Sequence, residues 1–110
     1  MTRVAVLLCE GFTDSGLAVL LDVLRTANVL VPGAFAIDVA SAKGGPLRAA
    51  SGLTISPTRS ARAAAHAEVV VVCGIWVEEP ALLDAVLARP ETQTLLRAIR
   101  KAHALSLIHI

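Results

Sequence analysis

Two short stretches carry most of the side chains that could do chemistry here: Glu10-Gly11-Phe12-Thr13-Asp14 and Cys73-Gly74-Ile75-Trp76. Together they offer two carboxylates, a thiol, an indole and two flexible glycines. A thiol near a carboxylate is the raw material of nucleophilic catalysis, with the acid orienting or activating the attacking group. Each residue also has a plainer use. Glu10 and Asp14 can serve as a general base, or as a solvated loop acid and a helix cap. Cys73 would be reactive if a helix amino terminus or a cation stabilised its thiolate. No His or Lys adjoins it, however, and the four valines before it favour a neutral, buried thiol. Trp76 either lines a pocket or packs against the helix that follows.

Other catalytic patterns are missing from the sequence. His66, His103 and His109 have no metal-ligand spacing, so no metal is expected. The glycines form neither a dinucleotide fingerprint nor a phosphate-binding loop, and no Ser sits in a G-x-S-x-G elbow. No cofactor is expected either.

The elements that must position these stretches are strands. Four consecutive valines, Val69 to Val72, suit a strand covered on both faces, since alternation would leave every second one wet. An interior strand of a parallel sheet is the expectation, with ligands near its carboxyl end. Val4 to Cys9 reads as a first strand, and Gly11 as free to take positive φ in the turn after it. Asp14 or Ser15 is the expected cap of a helix from about Gly16 to Asn28, with Leu17, Leu20, Leu21 and Leu24 on its buried stripe. Phe35 to Ala40 is a second strand. Leu47 to Ala50 and Leu53 to Ser56 suggest a small hairpin, and Ser60 to Ala67 one or two helical turns. Glu78-Glu79-Pro80 opens a helix with Leu82, Leu83, Val86 and Leu87 as its apolar face. A last helix covers Glu91 to about Ala102. Strands alternating with helices give the expected class: an α/β, flavodoxin-like parallel-sheet sandwich with right-handed crossovers.

The chain has 110 residues, which allows one domain at most, and that domain is expected to be incomplete. With 55% hydrophobic and 17% charged residues it is far from disorder. A net charge of +1 gives no basic footprint, so direct DNA contact by this segment is not expected. The apolar run at the amino terminus is too short for a secretory signal or a membrane span, so a cytoplasmic location and reduced cysteines are expected.

Residues Val4 to Asn28, Ala40 to Pro46, Ser51 to Ile55, Val69 to Trp76 and Glu79 to Leu83 together resemble the ThiJ/PfpI superfamily. They are most similar to the amino-terminal, class I glutamine amidotransferase-like domain of GlxA-type regulators of the AraC family. The resemblance runs from residue 3 to about 104 and implies a partial domain over 1–104.

In such regulators, the resemblance implies, this domain senses a small-molecule effector and dimerises, while a further helix-turn-helix domain contacts DNA. In the enzymatic relatives, a Cys on an elbow after the next strand pairs with an acid from the first strand–helix turn. That acid's place falls on Gly16, and the elbow would lie beyond Ala104. Residues 105–110 break from the pattern and resemble a translated sequencing adapter, so they are expected to be non-native. The resulting expectation is a catalytically inert sensor domain with no membrane contact. Its pocket rim would be formed by Glu10, Gly11, Phe12, Asp14, Cys73, Gly74, Ile75 and Trp76. The alternative is a fragment of a cysteine-dependent amidase, glyoxalase or protease-like enzyme without its nucleophile.

Overall fold

A computed structural model describes residues 1–57, 59–75, 77 and 79–103; Trp76, Glu78 and the 105–110 segment lie outside them. In chain order the elements are β1 (Thr2–Leu7), α1 (Asp14–Leu30), β2 (Phe35–Ser41), β3 (Leu47–Arg48) and β4 (Thr54–Ile55). They continue with β5 (Arg59–Ser60), a 3-10 helix (Ala61–His66), β6 (Val69–Val72), α2 (Pro80–Leu87) and α3 (Pro90–His103). Four strands form one parallel sheet in the order β5-β2-β1-β6, and β3 with β4 forms the small antiparallel hairpin. The α/β sandwich expected from the sequence is the fold observed.

β1 is the centre. Val4 to Leu7 are at most 3% exposed, and successive side chains go to opposite layers. Val4, Val6 and Leu8 join Leu17 of α1, Val71 and the hairpin residues Leu47 and Ala49. Leu7 joins Ala40, Val70, the 3-10 helix residues Ala61 and Ala64, and Leu95 and Ala102 of α3. The valine strand follows the same rule, with Val70 in one layer and Val71 in the other.

Laterally the valine strand is paired on one side. Among the described residues β6 pairs with β1 alone and forms an edge of the sheet. Valine content reports only that both faces are covered; it says nothing about a neighbour in the hydrogen-bonding direction.

α1 differs from the expectation at both ends. It starts at Asp14, with Thr13 at the cap position, and it runs on to Leu30. Leu17 is buried, and Leu20, Leu21 and Leu24 pack on the same cluster, as the stripe predicts. Asn28, where the sequence pattern fades, has a structural task. Its amide donates to the Phe35 carbonyl at 3.0 Å and its oxygen accepts from the Phe35 N–H at 2.8 Å, tying α1 to the start of β2. α2 is a further correction: of its expected apolar face only Val86 is buried, while Leu82, Leu83 and Leu87 are exposed. Within the described chain α2 packs mainly on α3, so its remaining sides have nothing to cover them.

The Asn28 clamp is testable. Asn28→Ala should lower the unfolding free energy in urea by about 1–3 kcal/mol, because two backbone groups of a half-buried strand lose partners. Asn28→Asp, which keeps the acceptor for the Phe35 N–H, should lose less. Equal midpoints for all three proteins would show that the clamp does not stabilise the fold.

Candidate functional site at the carboxyl edge of the sheet

The carboxyl ends of β1 and β6 release two loops side by side, and their backbones are bonded to each other. The Thr13 N–H donates to the Gly74 carbonyl at 2.8 Å, and Phe12 forms an antiparallel bridge to Ile75. On its other side Phe12 bridges Ala49, with the Ala50 N–H donating to its carbonyl at 2.8 Å. Gly11, with φ of 84°, makes the bend that frees its N–H for the Arg48 carbonyl at 2.8 Å. The Phe12 ring is 1% exposed and belongs to the core rather than to a rim.

Both acids are committed to the hairpin. Glu10 Oε1 accepts from the Arg48 N–H at 2.9 Å. Asp14 accepts from the Ser51 N–H at 3.1 Å and from the Ser51 hydroxyl at 2.5 Å. Asp14 therefore does not cap α1, as its position before the helix suggested, but fixes the hairpin turn to the helix start. The Ser51 hydroxyl, followed by its backbone N–H, holds the Asp14 carboxyl below its ordinary value of 3.8.

Around the thiol of Cys73 the neighbours are different. Cys73 is 8% exposed, and its Sγ lies 3.9 Å from Thr13 Oγ1 and 3.7 Å from the Thr13 carbonyl. Gly16 faces the same point. A Cβ on Gly16 would stand 3.7 Å from Cys73 Sγ but only 2.7 Å from Thr13 Oγ1. The Thr13 hydroxyl, itself donating to the Gly74 carbonyl at 3.4 Å, thus fills the space that a side chain at position 16 would need. Within the first loop nothing in the sequence singles out Thr13, because a turn threonine carries no signal for a contact made sixty residues away.

The other thiol, Cys9, lies on the opposite layer with Leu7 and Ala40. Since Cys73 belongs to the α1 layer, the two cysteines point to different faces of the sheet, and both are free. Cys9 lines a cleft of about 220 Å³ with Glu10, Lys43, Arg89, Glu91 and Thr92. Burial pushes its thiol up, and the Arg89 charge pulls it partly back. Of the expected rim residues that the structure describes, Glu10 alone lines this cleft. Among the described residues no three His, Cys, Asp or Glu side chains gather to hold a metal. Among the described residues no helix is long and apolar enough to cross a membrane.

The fold recurs in solved structures. An AraC family transcriptional regulator from Pseudomonas putida superposes with a TM-score of 0.72 at 32% identity, covering 99% of this chain and 64% of its own. The chain has the DJ-1/ThiJ/PfpI fold. The putative protease I of Bacteroides thetaiotaomicron (TM-score 0.75, 12% identity) and Drosophila melanogaster DJ-1beta (0.70, 19%) share it. The chain spans 61% and 53% of those two structures, so it corresponds to part of a DJ-1/ThiJ/PfpI domain in each comparison. No family model matches the sequence, and no curated protein does.

In Ser51→Ala the Asp14 titration, followed by NMR, should move up toward 3.8. Because the folded pKa is depressed, the Ser51 contribution to stability is present above the unfolded value near 3.8 and is lost as pH falls through the folded one. The stability gap between wild type and Ser51→Ala should therefore close in acid; a gap constant down to pH ~2 would refute the assignment. Gly16→Ala, in a helix that would ordinarily gain about 0.5–1 kcal/mol, should instead destabilise through the Thr13 hydroxyl. In a Thr13→Ala background the same substitution should recover that gain; the same sign in both backgrounds would show that Thr13 is not what keeps position 16 bare.

Proposed function

We propose that this chain belongs to the sensor and dimerisation domain of a GlxA-type AraC family regulator, a domain that binds a small-molecule effector and performs no catalysis. The observation that carries this reading is Gly16 against Thr13. At the place where enzymatic ThiJ/PfpI relatives are expected to carry an acid, this chain has no side chain, and the Thr13 hydroxyl occupies the adjoining space. The remaining acids of the two loops, Glu10 and Asp14, are engaged by Arg48 and Ser51. Cys73 is left with a hydroxyl and a carbonyl as neighbours, neither of which can act as a base at neutral pH. The similarity to the Pseudomonas putida regulator supports the same reading.

In this reading the whole protein is larger, a further strand docks on the free edge of β6, and DNA is bound by a separate domain. The wall of the effector site is formed by the interlocked Phe12–Thr13 and Cys73–Ile75 backbones. Such a wall needs a fixed shape more than reactive groups.

The test is made on the complete protein encoded at the locus. It should carry a helix-turn-helix domain, bind a DNA duplex by fluorescence anisotropy, and change that affinity with a small molecule whose binding shifts the amide signals of Thr13 and Gly74. It should not turn over 2-oxoaldehydes or amides. Turnover that disappears when an elbow cysteine is replaced by Ser would overturn the proposal in favour of a cysteine-dependent enzyme.

A further inference from the structure

We propose that the cleft between β1, β5 and the 3-10 helix is a binding site for a small dianion of the phosphate class, inorganic phosphate or a phosphomonoester. This site is separate from the Cys73 loops and does not depend on how they are read. It is a concavity of about 220 Å³ lined by Arg3, Asp38, Arg59, Ser60, Arg62 and His66.

Sheet register brings these residues together. Arg59 pairs with Ala40, which lies in the layer of the 3-10 helix and α3. Asp38, two residues before Ala40, points to the same face. Asp38 pairs with Ala5, and Arg3, two residues before Ala5, faces that way as well. The 3-10 helix then lies over this face and adds Arg62 and His66.

The charge balance suits a dianion. Among the lining residues three guanidiniums accompany one carboxylate, a surplus of two positive charges that Glu68, outside the lining but beside Arg3 in register, lowers by at most one. Asp38 reaches only Nε of Arg59, at 3.4 Å, in the one ion pair among the described residues. The guanidiniums of Arg3 and Arg62 are both exposed and have no such partner there. The Ser60 oxygen accepts from the Arg62 N–H at 3.4 Å, which leaves its hydroxyl proton to donate. Planar guanidiniums match phosphate oxygens in pairs, and this geometry favours phosphate over a spherical anion.

Size decides between small and large ligands. The cleft lies below the roughly 300–1,000 Å³ typical of sites for drug-sized molecules, so it fits a phosphate group better than an extended body. A duplex would need a track of cations along the surface, whereas these arginines converge on one concavity.

The experiment is titration of the chain with inorganic phosphate at constant ionic strength, read by amide NMR, with chloride as the control anion. Saturable shifts at Arg3, Ser60 and Arg62 are expected, and Arg62→Gln should weaken binding about tenfold. Arg3→Gln, which lies outside the 3-10 helix, should do the same, and Arg25→Gln on the outer side of α1 should change nothing. Shifts that do not saturate, or that chloride reproduces, would overturn the proposal. So would unchanged affinity in both cleft variants, or a duplex that competes with phosphate and binds more tightly.

Discussion

The turn that leaves β1 has to satisfy its backbone while it carries the Phe12 ring into the core, where Phe12 is the one fully buried residue of the turn. Unpaired N–H and C=O groups there would each cost on the order of 1–3 kcal/mol. The chain meets this by bending at Gly11 and running Phe12 and Thr13 as a short extended segment between two others. Gly11 and Phe12 bond to the hairpin on one side, and Thr13 bonds to Gly74 on the other. The hairpin is consequently more than a surface excursion. With its two-residue strands it could not be stable alone, and Glu10 and Asp14 hold it from the turn. The β1 turn, the hairpin and the loop after β6 therefore share one set of bonds, and displacing any one of them breaks contacts of the other two.

That sharing explains which features were legible in the sequence. β1, β2, β6, α1 and α3 declare themselves by periodicity, because each buries a face over several residues. The hairpin is visible through Ser51-Gly52 and its flanking apolar pairs. β5 is not visible: Arg59 and Ser60 make a strand through register with Ala40 and Ser41 alone, and two residues hold no period. The start of α1 was displaced for a related reason. Asp14 is a good cap by type, but its carboxylate finds Ser51 across the loop, and the cap position passes to Thr13. That β6 pairs with β1 alone among the described residues is likewise a matter of lateral pairing, which side-chain composition does not encode.

The candidate site was half legible in the same sense. The two loops were found because strand ends in a parallel sheet converge, and they do touch through Thr13 and Gly74. What each side chain does there depends on partners distant in sequence. Glu10 and Asp14 look like free acids until the hairpin is folded beside them. Phe12 looks like a rim residue until its ring is placed in the core. The layers settle the relation between the cysteines. Cys9 and Cys73 lie near the ends of adjacent strands, one register step apart, and the alternation of side chains still sends them to opposite faces.

The same alternation governs charge. A chain with a net charge of +1 gives no sign of an electrostatic function when its residues are summed. Summation is the wrong operation for a folded surface, because the Debye length of about 8 Å at physiological salt restricts strong effects to near neighbours. What matters is which charges the register gathers within that range. Arg3 lies more than fifty residues from Arg59 and Arg62 in the sequence, yet parallel pairing and a two-residue side-chain period put Arg3 and Arg59 on one face around Asp38, and the 3-10 helix over that face adds Arg62. Where the Cys73 loops bring backbone together and leave their acids occupied, this face brings an excess of positive charge together and leaves it in reach of solvent. A nearly neutral chain can hold a strongly cationic cleft in this way, and only the strand register shows where it lies.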